Sequence, residues 1–331
     1  MFLPLARLQA VALYSRLRLL PSMMAAHAPA EFQAVWTLCS ISQPEDKLMD
    51  GEQRATSKSS FTAVPFPRMR QNVLDAGWMA RRRHVIHGLL EVDVTEARRR
   101  LREHKQRTGE RLSFSAFIIA CVGRAVDMDR SVHAYRNWRN QLIVFDDVDI
   151  LIAIEIPAGD RTFPLLHPIR AANRRSARDI HTEIRAMQTA PQRSESTLFL
   201  RWFPLLPTAV RHLIYRLVEQ NPHWRKRVAG TVGLTSIGMF GDRGGWGIGA
   251  PNHTLALIVG GIARKPGVVD GQIEIREYLS VTLSVDHDVV DGAPAARFAH
   301  RLTELIESAY GLETLVEGHE DGFRDGRAGL R

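Results

Sequence analysis

Apolar and polar positions along the chain separate into segments with the spacing of strands and segments with the spacing of helices. Runs rich in β-branched and apolar residues predict strands at residues 85–94, 142–144, 148–156, 231–236, 254–262 and 278–285. Apolar residues at helical spacing, or in one long buried run, predict helices at residues 95–106, 113–126 and 173–187, and from about Pro294 onward. Strands intermixed with helices indicate an α/β (mixed α+β) fold, in which helices flank a mixed sheet.

Residues 198–227 fit this pattern less well, because arginines accompany their apolar positions. A basic amphipathic stretch of this kind can lie on a membrane surface or cap a binding cleft. Apolar stripes more often pack inside the protein itself, so packing against the sheet is the favoured interpretation. Contact with a membrane surface stays open as the alternative.

The patterned region is continuous, whereas both ends of the chain lack its periodicity. Residues 40–60 are polar and aperiodic, and the last residues are rich in glycine and charge. We therefore expect a flexible leader at residues 1–62, one domain at residues 63–315 and a flexible tail at residues 316–331.

The leader has an unusual charge distribution. It carries Arg7, Arg16 and Arg18 among leucines, and no acidic residue precedes Glu31. That composition is similar to an organelle transit peptide or a poor secretory signal. Because Arg16 and Arg18 interrupt the apolar run, secretion is disfavoured, and we expect a dispensable leader on a cytoplasmic protein.

The overall composition is that of an ordinary globular protein, with 45% hydrophobic and 24% charged residues. The formal net charge of +8 favours anionic partners in general. Aromatic residues interleaved with the arginines, as base stacking would need, are missing, so nucleic acid is not an expected partner. The charge is compatible with coenzyme A. Cys39 and Cys121 offer neither a disulfide framework nor a zinc spacing, and no metal is expected.

The strongest chemical signal follows the strand predicted at residues 278–285. That strand ends at Asp286 and His287, and the chain then turns through Asp291 and Gly292 into the last helix. Taken alone, such a histidine is most often structural, and such an aspartate is most often a helix cap. The combination His-x-x-x-Asp-Gly after a strand instead places His287 where it can reach a substrate while its neighbours orient the ring.

This segment resembles the catalytic domain of the dihydrolipoyl acyltransferases (2-oxoacid dehydrogenase acyltransferases) and of chloramphenicol acetyltransferase, which share a fold. Around the motif the resemblance is nearly continuous over residues 283–298, and the whole resemblance spans roughly residues 67–310. A second match at residues 230–241 is similar to the family's strand that ends in a hydroxyl residue before a glycine turn, and residues 250–260 follow as in the family. The glycine run at residues 244–249 lacks the lysine and hydroxyl residue of a nucleotide loop.

The resemblance implies a chloramphenicol acetyltransferase-like mixed sheet flanked by helices, with the active site at the subunit interface of a homotrimer. It implies coenzyme A as a substrate and His287 as the general base that takes the proton of a thiol. The oxyanion of the tetrahedral intermediate needs a hydrogen-bond donor. By resemblance, that donor is the Thr235 hydroxyl of a neighbouring subunit, with Ser236 as the fallback. Asp291, with Gly292 beside it, is expected to cap the last helix and to support the site.

Two departures from the family pattern affect the expected function. The family usually has arginine after the histidine, whereas this chain has Asp288, a negative charge that can change the partners of the base. Neither a lipoyl domain nor a peripheral subunit-binding domain is recognised, so a lipoyl group is expected only if another protein supplies it. The leading hypothesis is acyl transfer between a dihydrolipoyl-type thioester and coenzyme A. Transfer from acyl-coenzyme A to a small hydroxyl or amine acceptor, a catalytically silent trimeric scaffold and a lipid-binding scaffold without turnover are the alternatives.

Overall fold

The computed structural model describes residue 66 and residues 70–158, 161–190, 203–237 and 243–313. All of these belong to one compact unit. The leader expected at residues 1–62 and the tail expected at residues 316–331 lie outside the described residues.

A mixed β-sheet forms the framework of this unit. Its strands are β1 (Val85–Asp93), β4 (Ile150–Ala158), β5 (Arg161–Ile169), β6 (Val232–Ser236), β7 (Arg243–Gly245), β8 (Leu255–Val269) and β9 (Gln272–Asp286), and a separate pair is formed by β2 (Tyr135–Arg136) and β3 (Leu142–Ile143). The strand order is β1-β9-β8-β6-β4-β5, with β7 pairing to β8. β6 lies parallel to both β4 and β8, whereas β9 is antiparallel to β1 and β8. The prediction of a mixed sheet is therefore confirmed.

The described helices are α1 (Gln71–Ala80), α2 (Thr95–Thr108), α3 (Phe114–Met128), α4 (Ala177–Thr189), α5 (Thr208–Gln220), α6 (Pro222–Ala229) and α7 (Gly292–Glu307). The apolar run of α3 lies in the core, and the Ser113 hydroxyl caps its first turn by accepting a hydrogen bond from the Ala116 N–H. α4 and α7 both pack against α3, and their buried residues join the same core cluster as the inward side chains of the sheet. Buried residues of β9 and α7 belong to this cluster, so the core holds both elements in place.

The predicted elements are largely present, with shifted ends. α4 begins at Ala177 rather than near residue 173, because Ser176 and Asp179 form a capping box that starts the helix there. β8 and β9 extend further than expected, as a long hairpin whose outer part is exposed. In the part of the chain that the structure describes, the short strand at residues 142–143 pairs with β2 alone.

The segment at residues 198–227 differs from its favoured interpretation. Within its described part, α5 packs against α1 and α6. Val210, Leu213 and Leu217 on α5 are exposed, so the expectation that these apolar residues pack against the sheet is wrong. The buried side chain of α5 is Arg211, which is paired with Asp75 of α1. A buried ion pair, together with the stacking of the Trp78 ring of α1 on His212 of α5 at 3.9 Å between centroids, connects these two helices.

Candidate active site

His287 stands immediately after the last residue of β9, a strand held on both sides by β1 and β8. Its backbone N–H donates to the carbonyl oxygen of His84 at 2.7 Å. The N–H groups of Val289 and Val290 both donate to the Asp286 carbonyl oxygen at 3.0 Å, which closes a tight turn before α7. The His287 side chain is exposed. The fold thus presents the predicted histidine to solvent from a turn that these backbone hydrogen bonds hold in place.

The carboxylate of Asp286 holds this turn from inside. Asp286 is only 4% exposed. Its Oδ2 accepts a hydrogen bond from Nη1 of Arg83 at 2.5 Å, and its Oδ1 accepts one from the Asp288 N–H at 3.2 Å. Arg83 also contacts Glu219 of α5 at 3.3 Å. Sequence reasoning missed this role for both residues: Asp286 was visible only as part of the motif, and Arg83 only as part of a basic run.

The negative charge of Asp288, where the family has arginine, is engaged by a second histidine. Asp288 Oδ1 lies 2.9 Å from Nδ1 of His84. That hydrogen bond raises the pKa of His84 and, reciprocally, lowers the pKa of Asp288. Asp288 is therefore paired with His84, and the ring of His287 is not part of this pair.

Asp291 occupies the N-cap position of α7 with an extended backbone, as expected. Its carboxylate, however, makes no capping hydrogen bond, so the prediction that the side chain caps this helix is wrong. The first turn of α7 is closed by the backbone instead, where the Ala295 N–H donates to the Asp291 carbonyl oxygen at 3.1 Å. Gly292 follows in a site where an added Cβ would meet no atom within 4 Å, so packing does not require glycine there.

Thr235 does not lie beside His287 within one chain. Thr235 on β6 is paired with Ile258 of β8, whereas Val285 of β9 is paired with Leu255. Since His287 is two residues beyond Val285, it is five residue positions from the level of Thr235. Five positions correspond to about 16 Å along the strands, with a further ~10 Å for the two strand spacings between β9 and β6. Ser236, the fallback donor, is one position further away.

Among the described residues there is no cluster of three or more His, Cys, Asp or Glu side chains that could hold a metal ion. None of the described helices is long and apolar enough to cross a membrane. Cys121 is buried in α3, and burial raises the pKa of its thiol well above the usual range, so it is unsuited to act as a nucleophile.

Comparison with known proteins connects this geometry to a family. The family model described as "2-oxoacid dehydrogenases acyltransferase (catalytic domain)" matches residues 58–197 and 208–313. The acetyltransferase component of the pyruvate dehydrogenase complex from Zymomonas mobilis is 23% identical and covers 82% of this chain and 56% of its own length. The corresponding component from Corynebacterium glutamicum is 25% identical and covers 85% and 38%. The chain thus spans about half or less of the length of these curated relatives.

Solved acyltransferase cores share the fold. The Azotobacter vinelandii dihydrolipoamide acetyltransferase superposes with a TM-score of 0.58 at 19% identity, covering 80% of this chain and 100% of that one. The truncated catalytic core from Thermoplasma acidophilum superposes with a TM-score of 0.54 at 23% identity, covering 76% and 100%. The mixed sheet flanked by helices is therefore the architecture of these cores, as the sequence motifs implied.

Proposed function

This chain belongs to the family of 2-oxoacid dehydrogenase acyltransferase catalytic domains, and from that premise we propose that it transfers an acyl group between a thioester carrier and coenzyme A. The observation that carries the proposal is the placement of His287, exposed at the end of a central strand inside the family's His-x-x-x-Asp-Gly motif. The proposed carrier is a dihydrolipoyl group supplied by another protein, in keeping with the lipoyllysine chemistry for which the relatives are named.

The proposed reaction is a thiol exchange at a thioester carbonyl. A neutral nitrogen of His287 takes the proton of the attacking thiol, and the sulfur forms a bond to the carbonyl carbon. The resulting oxyanion accepts a hydrogen bond from the Thr235 hydroxyl. Collapse of the intermediate breaks the carbon–sulfur bond of the original thioester, and the departing thiolate takes the proton back from the imidazolium. The reaction is symmetrical and needs no oxidant or metal.

The spacing of the proposed residues supports this assignment. In the Azotobacter vinelandii enzyme a serine, a histidine and an asparagine have roles in the catalytic mechanism, with the serine 52 residues before the histidine and the asparagine four after it. In this chain Thr235 is 52 residues before His287, and Asp291 is four residues after it. A hydroxyl is retained at the first position, and a carboxylate replaces an amide at the last.

We further propose that the active site is completed by a second copy of this chain in a homotrimer. Thr235 and His287 are too far apart in one chain to serve the same carbonyl group. A donor must lie within hydrogen-bond distance of the oxyanion. Closed rotational symmetry would bring the β6 end of one subunit against the β9 end of the next at every interface.

Thr235→Ala is expected to lower the transfer rate by about 10²-fold, as for loss of one oxyanion donor. Thr235→Ser is expected to be nearly silent because the hydroxyl survives.

Mixing two impaired variants tests whether the site is shared between subunits. Subunits carrying Thr235→Ala, refolded in equal amounts with subunits carrying His287→Ala, should recover about a quarter of the wild-type activity, since random closed assembly leaves that share of interfaces with both residues. Activity is followed as transfer between acetyl-coenzyme A and dihydrolipoamide.

The control is each variant refolded alone at the same total concentration. A mixture no more active than the average of the two separate preparations would show that the two residues do not act from different subunits. A stable, fully active monomer in light scattering would contradict the trimer in the same way.

A further inference from the structure

A groove lined by arginines runs along the turn that carries His287. It consists of two neighbouring cavities of about 170 Å³ and 370 Å³ that share Arg82, Arg136 and Glu219 as lining residues. The smaller cavity reaches Asp288 and Val289, the residues directly after His287. We call this feature the basic groove and define it by its arginines, which are Arg82, Arg83, Arg136, Arg216 and Arg225.

The acidic residues of the basic groove are already engaged. Arg83 contacts both Asp286, at 2.5 Å, and Glu219, at 3.3 Å. Asp288 is hydrogen-bonded to His84 at 2.9 Å. The five arginines of the groove thus face three carboxylates, Glu219, Asp286 and Asp288, and its net charge is positive.

The remaining arginines of the groove form no ion pair with the described residues. In the part of the chain that the structure describes, no carboxylate lies within 4.0 Å of the charged nitrogens of Arg82, Arg136, Arg216 or Arg225. Arg82 and Arg216 instead lie over the ring of Trp78, at 4.3 and 5.6 Å from its centroid. Guanidinium groups stacked on an aromatic ring keep their N–H donors free at the edge. The groove therefore carries an excess of positive charge with unused donors.

Arg225 is the clearest member of this set, because it is buried. It is 8% exposed, its guanidinium donates to the carbonyl oxygen of Asn252, and its Cζ lies 3.9 Å from the ring centroid of Tyr135. Burial lowers the pKa of Arg225; Tyr135 and the charges of Glu219 and Asp286 oppose this shift, and the charge of Arg83 adds to it. Arg225 has no carboxylate within ion-pair distance among the described residues, and a buried cation without a direct partner is costly. Arg225 also lines the smaller cavity, so an anion bound there would be close to it.

We propose that the basic groove binds an anionic group of the acyl-transfer substrate, a phosphate or a carboxylate, through Arg225, Arg136 and Arg82. The planar donors of arginine match both groups, because each offers two oxygens to one guanidinium. The inference rests on the proposed function for the identity of the substrate and identifies which arginines recognise it. The anion comes either from the phosphates of coenzyme A or from a carboxylate at the far end of a dicarboxylic acyl group.

The test is calorimetric binding to the full chain, without turnover. The probes are coenzyme A, which has phosphates but no acyl carboxylate, and succinyl-coenzyme A, which has both. Arg136→Gln and Arg82→Gln remove exposed guanidiniums, and Arg225→Gln removes the buried one. Each is expected to weaken binding by about tenfold or more, the usual effect of losing a hydrogen bond to a charged group. Binding to the unchanged protein should also weaken as salt rises, because screened charges attract less.

The matched control is Arg185→Gln, which removes the same charge from an exposed position of α4 that hydrogen-bonds only Gln188 in the described residues. Equal weakening for both probes supports phosphate binding in the groove, and weakening confined to succinyl-coenzyme A supports carboxylate binding. If all three groove variants bind both probes as tightly as Arg185→Gln, the inference is wrong. Since binding is read without catalysis, groove-dependent binding by a protein that shows no acyl transfer would count against the proposed function alone.

Discussion

Replacing His287 with alanine is expected to lower the rate of acyl transfer by about 10²–10⁴-fold, the usual range for loss of a general base. The fold and the assembly should be unchanged, because the His287 side chain is exposed and has no hydrogen-bond partner among the described residues. The turn is held by Asp286 and by backbone hydrogen bonds that alanine preserves. The rate is measured with acetyl-coenzyme A and dihydrolipoamide, and the fold by thermal unfolding.

His300→Ala is the matched control for this prediction. His300 lies exposed on α7, where its one ion pair with a described residue is that with Glu304 at 3.2 Å, and its loss should leave the transfer rate unchanged. Full activity of His287→Ala would refute the proposed role of this residue. Unfolding of His287→Ala would instead make the histidine a structural residue and the motif a coincidence of turn chemistry.

Replacing Asp75 with alanine is expected to lower the free energy of unfolding by about 3–5 kcal/mol, the cost of removing one partner of a buried ion pair. Asp75 is 1% exposed and Arg211 is 3% exposed. Arg211 contacts the two carboxylate oxygens of Asp75 through Nε at 2.7 Å and Nη2 at 3.3 Å. Alanine would leave the Arg211 guanidinium buried without its carboxylate. Denaturant titration of the two proteins gives the difference.

Two further variants separate the buried pair from charge in general. Glu103→Ala removes an exposed partner of Arg99 on α2, and it should cost less than about 1 kcal/mol because exposed pairs contribute little. Asp75→Leu combined with Arg211→Met removes both charges, so it should cost clearly less than Asp75→Ala. A loss for Asp75→Ala no larger than that for Glu103→Ala would show that this pair does not hold α1 against α5.

Local pattern was sufficient for most of the sheet and for the core helices. The apolar run of α3 lies in the core, and β9 ends at Asp286, one residue beyond the predicted strand and directly before His287. α1 and β5 were missed for identifiable reasons. Val73 and Leu74 of α1 are exposed, so that helix has little apolar periodicity to detect. β5 is an edge strand that contains Pro164 and Pro168, and proline, which cannot donate to a ladder, weakens the signal of a strand.

The position of His287 at the C-terminal end of a strand could be deduced from sequence, because the strand, turn and helix signals there lie within a few neighbouring residues. The partners around it could not. Arg83 and Asp286 are 203 residues apart in the chain, and no local pattern indicates that they pair. The basic groove likewise gathers arginines from β2, α5, α6 and the turn before β1. The separation of Thr235 from His287 depends on strand register, which is set by side-chain packing across the whole sheet.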